Sequence, residues 1–545
     1  MVLLLLAFAA PSLDRYNVTW DEALGDFFFG QRYFSYATTL DEVYLDFEVD
    51  PYPPDHRPDL RHSPFRGRPW EYYPVANTLA AATSVVFSQT LGWLDPLDGF
   101  HALNLILVVL LIATFFPFLA RHFGLAAASM GILFLITSPR VFSHMMANIK
   151  DFPLMVFFSL TCLAFLRALE KGSLVGLLGA GILWGLTLGT KANGVFLPLI
   201  PAGLLLLGGI PEAWRGREKT LFLGATASGS IGGLVLVGLW PYLWANPWGR
   251  LLEHFNYLSG RKDVMNAESF APVLEAIALT TPPVFLGFFA VGLVRCTLLA
   301  VRRHRPSLLL LLWIGSVLGR YLLPQAVNFD GVRHFLELFP PMAGVAGAGA
   351  AWSVKLVVEN LGRRLAMPES RAILLRAAVL VLLAIPGARA VLVTHPFQIV
   401  YWNTFAGGYR GAVEQGLPQA SDYWGMSYRL GLEWLNDHAP PDALLAVPVV
   451  EHAVRLVAPE RLRSDITLLP VTTPFSPRIA PERLQWTREA ALESPLYVMF
   501  VPRRDWMNEL MLDCLLYLEP EQVWTLEETP VLLIYRYGPG GQSPD

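Results

Sequence analysis

Apolar blocks of 13 to 20 or more residues, separated by short charged loops, run through most of this chain. About 20 apolar residues in a helix cover the hydrocarbon core of a bilayer. Inside lipid every backbone amide must find its partner within the protein, which leaves helices or closed barrels. Blocks this continuous, with no two-residue alternation, read as helices. Eleven are predicted to cross: Met1–Leu13, Phe100–Ala120, Leu125–Thr137, Pro153–Leu166, Leu174–Gly189, Gly194–Leu207, Leu221–Trp240, Pro282–Val294, Ser307–Leu323, Phe335–Trp352 and Ala377–Val393. The shorter ones need flanking interfacial residues to complete them. Met1–Leu13 lacks the basic stretch that opens a signal peptide, so it reads as a short first helix or one whose start is missing.

Charge then sets the orientation. Only 16% of the residues are charged, against about 25% in globular proteins. The loops holding Arg121, then Arg167 and Lys171, then Arg215, Arg217 and Lys219 belong to one side, as do those holding Arg295 to Arg305 and Lys355 to Arg376. The intervening loops are poorer in cations or acidic, and residues 14–99 carry 14 acidic against 6 basic side chains. The positive-inside rule therefore places the Arg-rich loops in the cytoplasm and the acidic loop outside. An odd number of spans puts the C-terminal residues outside too.

Several classes are excluded. The formal net charge is −4, with no long basic tract, so nucleic acid is not a partner. Cys162, Cys296 and Cys514 have no metal-ligand spacing and read as small buried hydrophobes. Disordered and disulfide-scaffold compositions do not apply.

After His395 the pattern changes. Ala443–Val450, Leu496–Val501 and Val531–Tyr537 are β-prone, with amphipathic helical stretches at Tyr428–Asn436 and Arg504–Tyr517. The expected architecture is a mainly α, polytopic membrane protein of about 11 transmembrane helices. Residues 1–394 form the transmembrane module, with 14–99 as its first outer loop. Residues 395–545 form a small extracytoplasmic α/β domain ending in a flexible Gly/Pro tail.

The span interiors are nearly free of charge, Glu337 and Arg389 being the main exceptions, with Arg320 near an outer end. Ion-coupled transporters hold ionisable groups at mid-membrane depth. Here the unusual polar residues collect at the outer ends of helices, in five clusters. Thr19-Trp20-Asp21-Glu22 is a capping box that leaves Asp21 free to point elsewhere. Trp70-Glu71-Tyr72-Tyr73-Pro74 is an interfacial aromatic anchor in its simplest use. Asn148-Ile149-Lys150-Asp151-Phe152-Pro153 offers an Asp cap at a helix start. Gly189-Thr190-Lys191-Ala192-Asn193-Gly194 offers a snorkelling lysine. In Asn328-Phe329-Asp330-Gly331-Val332-Arg333-His334, Arg333 could simply pair with Glu337. Together these clusters bring acids and bases to one membrane face. Acids can take a hydroxyl proton during nucleophilic attack, and Lys, Arg and His can stabilise a leaving phosphate.

In these motifs the chain resembles the GT-C glycosyltransferase superfamily, in the branch of protein O-mannosyltransferases, the lipid A aminoarabinose transferase and family-39-type bacterial members. Asp21-Glu22 matches the Asp-Glu pair opening the family's first outer loop. Trp70-Glu71-Tyr72-Tyr73-Pro74 is similar to its Glu-Lys-Pro-Pro-like element, with Tyr72 in place of the Lys. Asp151 with Pro153, and Gly185–Gly194 around Lys191, match its second outer loop and its basic element. Asp330-Gly331-Val332-Arg333-His334-Phe335 with Pro340-Pro341 looks like a signature of the bacterial members. So do His395-Pro396-Phe397-Gln398, Tyr401-Trp402-Asn403, Gly407-Gly408 and Asp422-Tyr423-Trp424-Gly425.

The resemblance implies a GT-C catalytic module over residues 1–394. It implies inverting transfer of a hexose or pentose from a polyprenyl-phosphate donor, at the outer face of the inner (plasma) membrane, to an acceptor hydroxyl on a protein, lipid or glycan of the cell envelope. Asp21 is then the general base or acceptor orienter, with Glu22 and Asp151 as further catalytic candidates. Glu71 and Asp151 would shape the acceptor site or hold a divalent metal ion, the only cofactor left open. Lys191, Arg333 and His334 would bind the donor phosphate. The alternative is a polytopic transporter or lipid flippase of cell-envelope assembly, which the clean span interiors oppose. A non-catalytic assembly protein is a further alternative. Tyr423 and Trp424 could stack on sugar, although core packing is their first expected use.

Overall fold

A computed structural model describes residues 2–61, 63–265, 270–323 and 330–538. Asn328, Phe329 and the Gly/Pro tail after 538 lie outside the described residues.

Every apolar block is helical, and the helices differ in length. Six helices among the described residues have the length and apolarity of a span: Pro96–Phe123, Asp151–Lys171, Glu218–Leu239, Pro283–Val301, Arg333–Arg364 and Glu369–Val393. A seventh is a broken pair, Leu125–Ile136 with Pro139–Met146, bent by 64°. The other expected spans are present as shorter helices. Val2–Ala9 has eight residues and Leu174–Leu188 fifteen, and Ala192–Gly208 and Arg305–Gly319 are similarly short. The short segments are interrupted by Gly, Pro and Ser positions such as Gly189, Pro198 and Ser138-Pro139, which end a helix irrespective of hydropathy. The chain is a multi-pass membrane protein all the same.

The helix Phe339–Arg364 is the centre of the bundle, packing against both Leu125–Ile136 and Pro283–Val301. Small residues permit that approach. A Cβ at Gly347 would meet the Ala127 carbonyl oxygen and the Gly131 backbone, and one at Gly349 the Phe288 carbonyl oxygen.

The C-terminal part holds a five-stranded sheet in the order β2-β1-β3-β5-β4. The strands are β1 Leu444–Ala446, β2 Thr467–Leu469, β3 Leu496–Phe500, β4 Pro520–Leu526 and β5 Thr529–Tyr537. β1 runs parallel to β2 and β3, while β5 runs antiparallel to β3 and β4. The three predicted strands are β1, β3 and β5. β2 is three residues long and β4 is only partly buried, so neither carries a strong apolar signal. The predicted helices appear as Tyr428–His438 and Glu509–Tyr517.

Candidate functional site

Four chain segments meet where the first long loop, the Asn148–Asp151 turn, the Lys191 turn and the start of the Arg333–Arg364 helix come together. Asp422 organises one wall. Its carboxylate accepts from the N–H groups of Trp424, Gly425 and Ser427 at 2.8 to 3.0 Å, closing a turn in which Gly425 has φ +76°. Glycine suits that left-handed position because it has no Cβ. The turn's carbonyls take the N–H of Asn17 (2.9 Å, at Met426) and of Trp20 (3.2 Å, at Trp424), which fixes the strand leading into Asp21. Tyr423 and Trp424 are themselves buried, so core packing is their use.

Asp21 then faces Arg333, whose Nη1 donates to Oδ2 at 2.5 Å. Arg333 Nη2 donates to Asp330 at 2.9 Å, and the guanidinium lies 4.9 Å from the Trp424 ring centre. The expected pairing of Arg333 with Glu337 is replaced. Glu337 pairs instead with Arg320 and accepts from Asn193 at 3.1 Å. The 3-10 turn Arg333–Leu338, kinked at Phe335, turns the i+4 geometry of an α-helix away.

Glu22 is fully buried. Its carboxylate accepts from the N–H of Thr19 (2.7 Å) and of Ile149 (3.1 Å) and lies 3.2 Å from His101 Nε2. The Thr19 contact is the returning half of a capping box. The Ile149 contact ties the first loop to the second, and the His101 contact ties it to the Pro96–Phe123 helix.

Asn148 Oδ1 caps the next turn, accepting from the N–H of Lys150 (3.1 Å) and of Asp151 (2.8 Å). Asp151 is thereby released from the capping role and pairs with Lys191, while Asn148 Nδ2 donates to its second oxygen at 3.2 Å. Lys191 Nζ also reaches His334 Nδ1 at 3.3 Å. Asn193 and Arg320 both donate to the His334 carbonyl. Lys191 is mostly buried, with 12% of its side chain exposed, so it does not snorkel.

Lys150 completes the cluster. It sits 3.8 Å from Asp26 and 5.5 Å from the Tyr72 ring centre. Asp26 also accepts from Asn77 at 3.1 Å. Tyr72, standing where the resembled element has a Lys, stacks on Phe29 at 4.6 Å and presents a π face to Lys150. Glu71 points elsewhere and pairs with Arg68 at 2.9 Å.

The electrostatics follow from this packing. Burial would raise the Asp21 carboxyl, but Arg333, Lys150 and Lys191 outweigh it and hold Asp21 well below the usual range. Asp26 is the opposite case. Burial lifts it to about 7 despite Lys150, with Asp21 adding to the rise. Burial lowers Lys191 despite Asp151. Lys150 stays above its ordinary value because Asp26, Asp21 and Asp151 more than offset its burial.

Among the described residues no three His, Cys, Asp or Glu side chains converge as a metal-ligand set. Glu71 pairs with Arg68 and Asp151 with Lys191.

Asp21, Glu22, Asp151, Lys191, Arg333 and His334 are thus connected within one cluster, directly or through Asn148 and Ile149, and Glu71 is not. Sequence reasoning did not select Lys150, Asp26, Asp330, Arg320 or Glu337. Lys150 and Asp330 stood inside clusters already singled out, which was the available signal.

Residues 97–229 match the family model for dolichyl-phosphate-mannose-protein mannosyltransferases. The match covers 133 of the 545 residues. The matched segment contains Asp151 and Lys191. It leaves Asp21, Arg333 and the C-terminal sheet outside. Among solved structures, ArnT from Cupriavidus metallidurans bound to undecaprenyl phosphate is similar, with 14% identity, 99% of each chain covered and a TM-score of 0.47. Its apo form gives 14%, 99% of each chain and 0.48. The oligosaccharyltransferase AglB from Archaeoglobus fulgidus, in complex with an inhibitory peptide and a dolichol-phosphate, gives 13% identity and a TM-score of 0.43, covering 79% of this chain and 61% of its own. No curated protein matches the chain in sequence.

Proposed function

We propose that this protein transfers a hexose or pentose from a polyprenyl-phosphate donor to an acceptor hydroxyl, with inversion, at the outer face of the inner (plasma) membrane. Residues 1–394 serve as the catalytic module, with 14–99 as its first outer loop, and 395–545 as an extracytoplasmic domain. The observation that carries this reading is the Asp21–Arg333 pair beside Lys191 and His334. It sets an acid next to the cations a leaving phosphate requires.

In the proposed step the acceptor oxygen bonds to the anomeric carbon as the bond from that carbon to the phosphate oxygen breaks. The electron pair leaves with the phosphate, and the hydroxyl proton passes to Asp21. In the unliganded site Arg333 holds Asp21 too firmly for it to act as a base. A donor phosphate bound by Lys191, His334 and Arg333 competes for that guanidinium and restores basicity to Asp21 when donor is present. Asp151 orients Lys191, and Glu22 braces Asp21 through the backbone. Glu71, held by Arg68, shapes the acceptor side. The acceptor is a protein, lipid or glycan of the envelope.

The test is sugar transfer by purified protein in nanodiscs, from labelled undecaprenyl-phosphate sugars to an envelope membrane fraction. Asp21→Asn is expected to lower turnover by about 100-fold or more, in keeping with loss of a general base. Lys191→Ala is expected to weaken donor use. Unchanged turnover in a folded Asp21→Asn protein would remove Asp21 from this role. Failure of the wild type to release undecaprenyl phosphate from any donor would reject the function.

A further inference from the structure

Trp20, the residue before Asp21, is gripped from the C-terminal part of the chain. Its N–H donates to the Trp424 carbonyl, and its own carbonyl lies 3.2 Å from His452 Nε2. Its ring meets Trp506 edge-on at 4.7 Å and His452 at 4.9 Å. Arg503, in the loop after β3, lies over the same ring at 5.6 Å and over Trp506 at 5.5 Å. One of its nitrogens donates to the Tyr423 carbonyl at 2.8 Å, and the other reaches Asp330 Oδ1 at 3.3 Å. The second oxygen of Asp330 takes Arg333, and Arg333 takes Asp21. Arg503, Asp330, Arg333 and Asp21 therefore form one unbroken alternation of cation and anion, from the sheet domain to the candidate base.

We propose that Arg503 is a positioning residue for transfer: by holding Asp330, it keeps Arg333 shared between two carboxylates and so sets where the Asp21 carboxylate stands. The physical reason is competition. A carboxylate with two cations draws less on each of them. With Arg503 removed, Asp330 makes its whole demand on Arg333, and the guanidinium turns from Asp21. Only 11% of the Arg503 side chain and 4% of the Arg333 side chain are exposed, so salt screens these contacts little.

Other groups also act on Asp21. Lys150 and Lys191 favour its ionised form, and Asp26 opposes it. His452 is kept neutral by burial, which lowers it to about 4, so it contributes a hydrogen-bonding contact and no charge at neutral pH.

The proposal rests on the proposed function for its kinetic consequence but not for its structural one, and two measurements keep them apart. In the transfer assay, Arg503→Met is expected to move the acid limb of the pH–rate profile up by about one unit, since Asp21 loses part of its cationic partner. Arg503→Lys, which keeps the charge, is expected to retain most of the wild-type profile. Independently, a double-mutant cycle of Arg503→Met with Asp21→Asn is read by thermal unfolding in nanodiscs. Asp330 and Arg333 link Arg503 to Asp21, so their Tm losses are expected not to add. An unmoved acid limb or strictly additive Tm losses would overturn the positioning role. If the wild type transfers no sugar, the function falls while the cycle still decides this point.

Discussion

Asp21 and Asp26 lie five residues apart on one short turn, yet their surroundings drive them in opposite directions. Asp21 meets Arg333 directly and stays ionised, whereas Asp26 is buried with Lys150 only at 3.8 Å and is lifted to about 7. Divergent titration of neighbouring acids is how active sites separate their roles. It also has a consequence for stability. The folded state holds a proton on Asp26 that the unfolded chain gives up near 3.8, so this residue's contribution falls as pH rises from there through about 7. Asp26→Asn is therefore expected to raise Tm at pH 8, with the gain fading below pH 6. Thermal scans at several pH values check this, and a gain independent of pH would contradict it. Residue types picked out Asp21, Asp151, Lys191 and Arg333, because an acid or base at the outer end of an apolar helix is conspicuous. They did not show that Asn148 takes the capping role and frees Asp151, nor that Glu337 answers to Arg320. The Asn148 cap spans three positions, but the partners of Asp151 and Glu337 stand 40 and 17 positions away in the chain.

The elements that position the site are set by small residues as much as by hydropathy. Phe339–Arg364 places Gly347 and Gly349 against backbone atoms of two neighbouring helices. A flexible side chain can move aside for a new Cβ, whereas a carbonyl oxygen moves only with its helix. Gly347→Val is expected to cost about 1–3 kcal/mol, typical of overpacking a filled core, and to shift the helix that begins at Arg333. Gly315→Ala, which faces open space among the described residues, should leave stability unchanged or slightly raised, since Ala is the better helix former. Thermal unfolding of the two variants in nanodiscs separates the cases. Helix identity was legible in every apolar block, because hydropathy reports what a segment can be buried in. Helix ends were legible where a Ser-Pro or Gly position closes the apolar run, as at Ser138-Pro139 and Gly189.

At the scale of the molecule, the sheet domain is locked onto the membrane module by charge. Asp95 and Asp98, at the start of the Pro96–Phe123 helix, pair with Arg429 and Arg461 from the C-terminal helices. Arg461 is 5% exposed and Asp98 4%, so breaking one side leaves buried charge. Arg461→Ala is expected to cost about 3–5 kcal/mol and to increase hydrogen exchange across the C-terminal sheet. Unaltered exchange would show that apolar contacts suffice. Burial pushes Asp95 up, but Arg461 and Arg429 bring it to about 2, so its share of the lock persists from neutral pH down and is lost only as pH falls through that value.

The amino-acid sequence alone determined that the chain lives in lipid, that a small α/β unit follows the helices, and that its few charges gather at helix ends and in loops. Those properties are local: apolar length, alternation and residue type act within a helix or a strand. Only the tertiary structure decided that Glu71 pairs with Arg68, and that the C-terminal part reaches Asp21 through Arg503, Asp330 and Arg333. Partner choice among buried charges is a long-range property. Each ion pair trades desolvation against one particular neighbour, and that neighbour is supplied by the fold.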